Sequence, residues 1–357
     1  MNYITHIGTA VPDHKIHQLD ISSFMAQAHG LINGSEVRLN ALYRATGIKT
    51  RYSVIEDYLG KKRNFYPSNN TLEPFPDTKA RMLLYSREAI NLASKSINDA
   101  LEHNFQFDTI TDIITVSCTG FYTPGLDFDI INRFGLNRNV SRTAVNYMGC
   151  YAAISAIRIG NAILDSNPEG KVLIVSVELC SIHFQKENTE DNRIANALFG
   201  DGAAAVLMES KPAPEGRSIG IKGFECDLIP EGEHDMSWNV GNLGFEMKLS
   251  SYVPSLIKNG MDKLLSAHSG ISFKHFAIHP GGKKILQVCE EKLGISREEN
   301  HHAHHILREY GNMSSPTIIF VLQSILESLT EKNKDDLIFG LAFGPGLTLE
   351  SMVLNVH

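Results

Sequence analysis

The stretch VNYMGCYAAISAIRIGNAIL, residues 145–164, places a cysteine behind a glycine at the start of a strongly apolar segment. From Cys150 onward apolar residues occupy nearly every helical face, and a helix of that kind is normally buried in a large domain. A thiol in the first turn of a helix lies near the positive end of the helix dipole, which favours the thiolate. A free cysteine is also a common packing residue. The segment alone leaves Cys150 either as a nucleophile or as a packing residue.

The composition of the chain excludes several classes of function. The 357 residues are 43% hydrophobic, enough for one large domain or two fused units. The net charge of −7 and the lack of a basic tract predict no nucleic-acid partner. No apolar run is long enough for a membrane span, and the first residues lack a signal-peptide pattern, so no membrane partner is predicted. Five cysteines without a Cys-x-x-Cys pair argue against a disulfide framework or a zinc site and predict a reducing, cytoplasmic location.

The order of predicted elements repeats with an offset of about 162 residues. Each copy is a buried strand, a helix and a second strand. The strands are predicted at 112–120 and 171–179 in the first copy and at 273–282 and 336–344 in the second. Because strands and helices alternate, we expect a parallel-rich sheet covered by helices. We predict two pseudo-symmetric halves, 1–211 and 212–357.

The repeat brings three reactive residue types to one predicted junction. Cys150 and Asn312 lie at equivalent helix starts, and His279 follows the second-half strand. A packing cysteine would need no polar counterpart, so the repeat favours a nucleophilic Cys150, with a nearby imidazole that supports the thiolate. Each residue alone has an ordinary alternative, since a histidine at a strand end is often structural and an asparagine at a helix start is often an N-cap.

Five strings resemble the motifs of type III polyketide synthases, the chalcone synthase-like branch of the thiolase superfamily. They are GCYAA (149–153), ALFGDGAAA (197–205), HPGGKKIL (279–286), YGNMSS (310–315) and FGPGLTLE (343–350). Their order and spacing match the family from about residue 110 to the C-terminus. The resemblance implies a thiolase-like five-layer αβαβα fold, a homodimer, and an acyltransferase that condenses coenzyme A thioesters without a further cofactor.

The same resemblance implies roles for the junction residues. An acyl-CoA starter would load onto Cys150, and malonyl-CoA would then decarboxylate to an enolate. His279 and Asn312 would hydrogen-bond the enolate oxygen, the logic of an oxyanion hole. Because Pro345 has no N–H, only Gly344 or Gly346 could add a backbone donor from that loop. The product would be a small pyrone or phenolic compound.

Further residues match family positions around the substrate. Phe199 corresponds to an aromatic gate, although it could be a core residue, and Ser314 matches a serine that could equally be a helix-turn hydroxyl. Cys118 takes a pocket position that is often threonine in plant enzymes. An ungapped register places Trp238 where plant enzymes have a cavity-lining glycine and Met247 where they have a gating phenylalanine. Trp238 therefore predicts a small cavity, unless the register slips and the indole only packs in a hairpin.

Two charged segments have weaker implications. The family binds coenzyme A phosphates with basic residues in the region of Arg44, Lys49 and Arg51, although a solvated charged face is the alternative. His301 and His305 have i, i+4 spacing in HHAHH, but without a nearby cysteine or carboxylate trio we predict no metal site.

Three other functions compete with the polyketide synthase. A ketoacyl synthase III-like enzyme would make a single condensation and would need a basic face for an acyl-carrier protein, but HPGG and FGPGLT favour the first assignment. A hydroxymethylglutaryl-CoA synthase-like enzyme needs a glutamate base at a position where none is found. A non-catalytic scaffold would not need an intact Cys/His/Asn set.

Overall fold

The computed structural model describes residues 1–31, 34–60, 62–102, 104–214 and 216–357. The strands are β1 (Tyr3–Ala10), β2 (His14–His17), β3 (Thr50–Ser53), β4 (Asp112–Ser117), β5 (Ser141–Asn146), β6 (Lys171–Leu179), β7 (Asp201–Glu209), β8 (Ile219–Leu228), β9 (Met236–Gly241), β10 (Gly244–Leu249), β11 (His275–Ile278), β12 (Leu337–Gly344) and β13 (Thr348–Val356). The helices are α1 (Gln18–Ala28), α2 (Ser35–Ala45), α3 (Thr78–Ala100), α4 (Leu126–Phe134), α5 (Ala152–Ser166), α6 (Glu190–Leu198), α7 (Val253–Ser266), α8 (Lys283–Leu293), α9 (His301–Tyr310) and α10 (Thr317–Ser328).

Nine strands form one continuous sheet in the order β11-β12-β13-β8-β1-β7-β6-β4-β5. Within the described chain only β11–β12, β6–β4 and β4–β5 pair in parallel. The sheet is therefore mixed, whereas the sequence predicted a parallel-rich sheet. The difference arises partly because β13 follows β12 through the tight turn Pro345–Leu347, and a short turn produces antiparallel neighbours. The first-half and second-half strands meet where β1 pairs with β8 over two residues of each strand.

The predicted strand–helix–strand repeat is present in both halves. It consists of β4, α5 and β6 in the first half and of β11, α10 and β12 in the second, and both strand pairs lie at corresponding places in the sheet order. β5 extends the first half by one edge strand that has no equivalent beside β11 among the described residues. The element order therefore follows the expected pseudo-symmetry except at this edge.

Side-chain alternation divides the first-half strands between two cores. Val172 and Ile174 of β6 face the core that contains α5 and α10, whereas Leu173 and Val175 face the core that contains α3. This is the period-two pattern of a strand covered on both faces. α5 contacts β4 and β6 of the first half and β13 of the second, and α10 contacts β1, β7 and β11. The central helices are thus enclosed by strands of both halves.

The complete order of layers is α3, the first-half strands, α5 with α10, the second-half strands, and α7 with α8. The predicted five-layer αβαβα fold is confirmed. α5 can fill the central layer because its first turns are rich in alanine and isoleucine, which pack closely without polar groups to satisfy. The starts of α5 and α10, where the sequence placed its reactive residues, lie inside this layered body.

Candidate active site

Cys150 lies two residues before the first residue of α5 and is 4% exposed. The preceding Gly149 has φ +90°, and a Cβ at that position would lie 2.1 Å from the Cδ atom of Pro345. Only glycine can adopt this positive φ and leave room for the ring of Pro345. Gly344 packs against the backbone nitrogen of Cys150 on the same side. The turn before α5 and the turn after β12 are therefore closely packed at the thiol.

Burial opposes the thiolate that the helix position favours. It raises the pKa of the Cys150 thiol to about 12, while hydrogen bonds from Ser314 and Asn312 act to lower it. Burial also lowers the pKa of the His279 imidazole to about 3. Burial thus favours the thiol and the neutral imidazole over either charge alone, and the thiolate expected from the sequence stays a prediction.

Asn312 occupies a short extended link between α9 and α10. Its backbone N–H donates to the Leu198 carbonyl at 3.0 Å, and its own carbonyl accepts the Gly200 N–H at 2.9 Å. The side-chain Oδ1 accepts the Ser314 N–H at 2.8 Å, and Nδ2 donates to the Gly281 carbonyl at 3.4 Å. Because Oδ1 is engaged by an N–H, the amide hydrogens are presented toward the thiol and the Gly281 turn.

The predicted equivalence of Cys150 and Asn312 is wrong by three residues. Asn312 precedes the first residue of α10 by five positions, whereas Cys150 precedes that of α5 by two, so Ser315 is the positional counterpart of Cys150. The reason is that Gly311 ends α9, Pro316 begins the next helix, and the link between them pairs with Phe199. The Asn312 side chain still acts to lower the pKa of the Cys150 thiol.

His279 directly follows β11 and is completely buried. Its backbone N–H donates to the Leu341 carbonyl at 2.8 Å, and its ring lies edge-on to Phe343 at 5.7 Å. Both ring nitrogens lack a hydrogen-bond partner among the described residues. An unpaired buried polar group is costly, so this imidazole is suited to bond an incoming ligand.

A narrow cavity borders the thiol. Its lining contains these residues singled out in the sequence: Cys118, Cys150, Phe199, Trp238, Met247 and Ser314. The structure brings these six together. Gly344, Asn312 and His279 are not among the lining residues, but Gly344 packs against the backbone of Cys150, and Asn312 donates to the turn that follows His279. A neighbouring pocket shares Cys180, Phe199, Trp238 and Met247 with the first, so the two spaces adjoin at these side chains.

Trp238 and Met247 face each other across the β9–β10 hairpin. The indole Nε1 donates to the Cys118 carbonyl at 2.7 Å, and the Cys118 sulfur accepts the Gly149 N–H at 2.9 Å. The hairpin is thereby attached to the turn that precedes Cys150. Trp238 packs in a hairpin and also borders the cavity, so it does more than pack, and its restriction of the product stays a prediction.

The sequence analysis missed a buried carboxylate beside the cavity. Glu178 is completely buried in β6 and accepts hydrogen bonds from the Cys118 N–H at 2.9 Å, the Thr119 hydroxyl at 2.7 Å and the Ser315 hydroxyl at 2.6 Å. Burial raises the pKa of this carboxyl, and the hydrogen bonds act in the opposite direction. A glutamate inside the apolar run VSVEL was the available signal, because charged residues are seldom fully buried without partners.

The basic residues assigned to coenzyme A have different environments. Arg44 and Lys49 are exposed at the end of α2 and before β3. Arg51 departs from the expectation of a surface cation: it is 3% exposed and donates to Gln18 and to the Phe199 carbonyl. A guanidinium enclosed by protein groups cannot meet a phosphate at the surface. Lys283, which the sequence analysis did not select, lies against Gly47 in the same region.

The histidine-rich segment lies on α9. His304 Nε2 contacts Glu290 Oε1 at 2.6 Å, and the His301 and His302 rings are 3.9 Å apart. The described residues contain no group of three side chains arranged to hold a metal ion. No helix among the described residues has the length and apolarity that crossing a bilayer requires.

Comparison with known proteins assigns both halves to one family. Residues 2–212 match the family model described as chalcone and stilbene synthases, N-terminal domain, and residues 222–357 match the corresponding C-terminal domain. A relative named alpha-pyrone synthesis polyketide synthase-like Pks18, from Mycobacterium tuberculosis, is 28% identical and is aligned over 99% of this chain and 91% of its own length. The probable polyketide synthase 1 of Dictyostelium discoideum is also 28% identical over 99% of this chain, but the chain spans only 11% of that protein.

Solved structures agree with this assignment. The C-terminal type III polyketide synthase domain of Steely1, a type I/III hybrid from Dictyostelium, superimposes with a TM-score of 0.89 at 26% identity and 99% coverage of both chains. PKS-I from the brown alga Ectocarpus siliculosus gives 0.88 at 26% identity, covering 99% of this chain and 98% of its own. The chain belongs to the chalcone and stilbene synthase family, and it is a type III polyketide synthase.

Proposed function

We propose that the protein loads an acyl-CoA starter onto Cys150, extends it with malonyl-CoA and releases a small pyrone or phenolic product. The observation that carries this proposal is the combination of a buried Cys150 thiol that borders a cavity, the Asn312 amide that acts on that thiol, and the His279 imidazole, which has no hydrogen-bond partner among the described residues and lies on the turn to which Asn312 donates. The three groups come from both of the halves, 1–211 and 212–357, that we infer as structural units. The coenzyme A thioesters are substrates, and this chemistry requires no resident cofactor.

Loading transfers the acyl group from one sulfur to another. The proton of the Cys150 thiol passes to the neutral imidazole of His279, and the sulfur attacks the thioester carbonyl of the starter. A new C–S bond forms as the bond to coenzyme A breaks, and the departing thiolate takes the proton from His279. Because burial disfavours either charge alone, we place this proton transfer in the attack itself.

Decarboxylation of malonyl-CoA places negative charge on the thioester oxygen. The C–C bond to the carboxylate breaks, carbon dioxide leaves, and the electron pair becomes an enolate. The Asn312 amide and the His279 imidazole can each donate a hydrogen bond to that oxygen, which stabilises the charge as it develops. The enolate carbon then attacks the acyl carbonyl on Cys150, a new C–C bond forms, and the Cys150 thiolate leaves.

The cavity and its entrance fit this substrate class. We assign the phosphates of coenzyme A to Arg44, Lys49 and Lys283, which form an exposed basic mouth on an otherwise acidic protein. Phe199 would separate that mouth from the acyl cavity. The name of the mycobacterial relative refers to alpha-pyrone synthesis, and we propose a pyrone as one product class here. Trp238 would restrict the enzyme to small starters or few extensions.

We infer that the protein forms a homodimer and that the β5 edge of the sheet is part of the dimer interface. Among the described residues no further strand pairs with the outer edge of β5, and Phe121 and Tyr147 beside it are 47% and 49% exposed. Exposed aromatic side chains next to an open strand edge are typical of an interaction surface. The loop 119–127, which in the resembled family reaches across the dimer and here contains Thr123, lines the same surface. We place the enzyme in the cytoplasm, where its free cysteines stay reduced.

Product analysis tests the proposal. The enzyme would be incubated with malonyl-CoA alone and with a panel of acyl-CoA starters, and products would be identified by mass spectrometry. We expect products with at least two malonyl-derived units, and none from Cys150→Ala. Products limited to one extension would favour the ketoacyl synthase III-like alternative, and supply of malonyl groups on an acyl-carrier protein would test its donor requirement.

A further inference from the structure

Arg51 is a buried cation without an ion-pair partner in the described part of the chain. It belongs to β3, which pairs with β2, and it is 3% exposed. Its Nε donates to Gln18 Oε1 at 2.9 Å and its Nη1 donates to the Phe199 carbonyl at 2.5 Å. A buried charge needs compensation, and here two neutral oxygens accept its hydrogen bonds, while Nη2 has no partner among the described residues.

One of those oxygens, the Phe199 carbonyl, belongs to the C-terminal end of α6. A helix leaves its last carbonyls without partners and concentrates negative partial charge there. The Ala197 carbonyl accepts Gln18 Nε2 at 2.8 Å, the Leu198 carbonyl accepts the Asn312 N–H, and the Phe199 carbonyl accepts Arg51. Three successive carbonyls are thereby satisfied by three separate segments.

The stem of Arg51 packs directly beside the link that carries Asn312. A Cβ at Gly311 would lie 2.8 Å from Cγ of Arg51 and 2.9 Å from its Cδ, and Gly311 has φ +72°. Thr50, the neighbour of Arg51, donates through its hydroxyl to the Glu309 carbonyl at 2.7 Å. Phe199 and Asn312 pair through their backbones, and we call this pair the Phe199–Asn312 bridge. Arg51 contacts both sides of the bridge, because its guanidinium bonds the Phe199 carbonyl and its stem packs against Gly311, the residue before Asn312.

We infer that Arg51 is a positioning residue, which holds the Phe199–Asn312 bridge so that the Asn312 amide meets the enolate oxygen. This inference rests on the role proposed for Asn312. It replaces the expected contact between Arg51 and coenzyme A. It also explains why an arginine is suited to this position, since its planar fork can bond Gln18 and Phe199 simultaneously while its stem fills the space at Gly311.

The test measures two steps separately in Arg51→Met, which keeps much of the stem and removes the donors. Malonyl-CoA decarboxylation should fall about tenfold to a hundredfold, since a displacement of about 1 Å at a catalytic group can cost about a hundredfold. The KM for malonyl-CoA and the rate of acyl loading onto Cys150 should change little. Arg51→Lys should recover part of the loss. The exposed Arg87→Met is the matched control and should change neither step.

A double-mutant cycle shows whether Arg51 acts through Asn312. In an Asn312→Ala background, Arg51→Met should cause no further loss of decarboxylation, because coupled residues are not additive. Full additivity, an increased KM with unchanged kcat, or equal losses of loading and decarboxylation would each overturn the inference. If Arg51→Met does not fold, Gln18→Met, which removes the neighbouring tether, should give a smaller loss of the same kind.

The same variants separate this inference from the proposed function. If Asn312→Ala itself leaves decarboxylation unchanged, the role of Asn312 is wrong and the inference fails with it. If Asn312→Ala abolishes decarboxylation while Arg51→Met has no effect, only the inference about Arg51 fails.

Discussion

Replacement of Trp238 by glycine should enlarge the acyl cavity and lengthen the product. The indole borders the narrow cavity beside Cys150. Its ring system is larger than benzene, and a cavity of about 150 Å³ is enough to hold benzene. The change would therefore open space of about that size, enough for about six carbons or three malonyl-derived units. We expect Trp238→Gly to give products with more extensions, or to accept bulkier starters, while loading onto Cys150 is retained.

The same change has a cost in stability that can be worked from the contacts. Trp238 is partly buried, lies edge-on to Phe245 at 5.8 Å and donates its N–H to the Cys118 carbonyl. Truncation of a fully buried aromatic residue costs about 3–5 kcal/mol, so partial burial suggests about half of that. The lost hydrogen bond adds about 1 kcal/mol. We expect the free energy of unfolding to fall by about 3 kcal/mol.

Trp238→Phe is the matched control, because it removes the N–H donor but retains an aromatic ring in the cavity. It should lose about 1 kcal/mol of stability and keep the wild-type product profile. Product mass spectra for all three proteins, recorded with one panel of starters, provide the assay, and urea unfolding provides the stability. Unchanged products from a destabilised Trp238→Gly protein would refute the reasoning, since the indole would then only pack the hairpin.

Four further predictions follow from the site and the edge strand. Cys150→Ala should abolish acyl loading, detected by intact-protein mass spectrometry, without loss of the folded state. Asn312→Ala should slow malonyl-CoA decarboxylation by about a hundredfold, while loading onto Cys150 changes much less; parallel losses would indicate a structural role. His183 and His279 have pKa values of about 3 in the folded protein against 6.5 when unfolded, so the unfolded state binds protons that the folded state excludes below pH 6.5. Stability should therefore fall as the pH drops from 6.5 toward 3, by about 3 kcal/mol per histidine at about pH 4.5, and His183→Phe should show a correspondingly weaker loss in urea unfolding. Tyr147→Asp at the β5 edge should shift the protein from dimer to monomer in light scattering, and an unchanged mass would count against the proposed interface.

The layered fold was predictable because its signals are local. The alanine- and isoleucine-rich run after Cys150 indicates a buried helix by composition alone, and the structure has α5 there. The strand before His279 and the strand 171–179 are short apolar runs that the structure confirms as β11 and β6. Repetition of that pattern at a fixed offset then predicted two halves around central helices.

The polar contacts of the site were not predictable in the same way. The burial of Arg51 depends on Gln18 and on Phe199, which are distant in sequence and become neighbours only in the folded chain. Glu178 is satisfied by groups on two other segments. The three-residue error at Asn312 arose because the pattern of apolar residues marks a helix start only approximately.

Burial at this site has two opposite consequences for catalysis. It makes charge on Cys150 or His279 alone costly, as their shifted pKa values show. The same exclusion of water strengthens every hydrogen bond made to a substrate oxygen, because the local dielectric constant is low. A neutral imidazole and the Asn312 amide can donate to an enolate without first losing a water shell. The carboxylate of Glu178 does not repel that enolate as strongly as a free charge would, since three donors already neutralise much of its field. The site is therefore arranged to stabilise charge that appears on the substrate and to carry little charge of its own at rest.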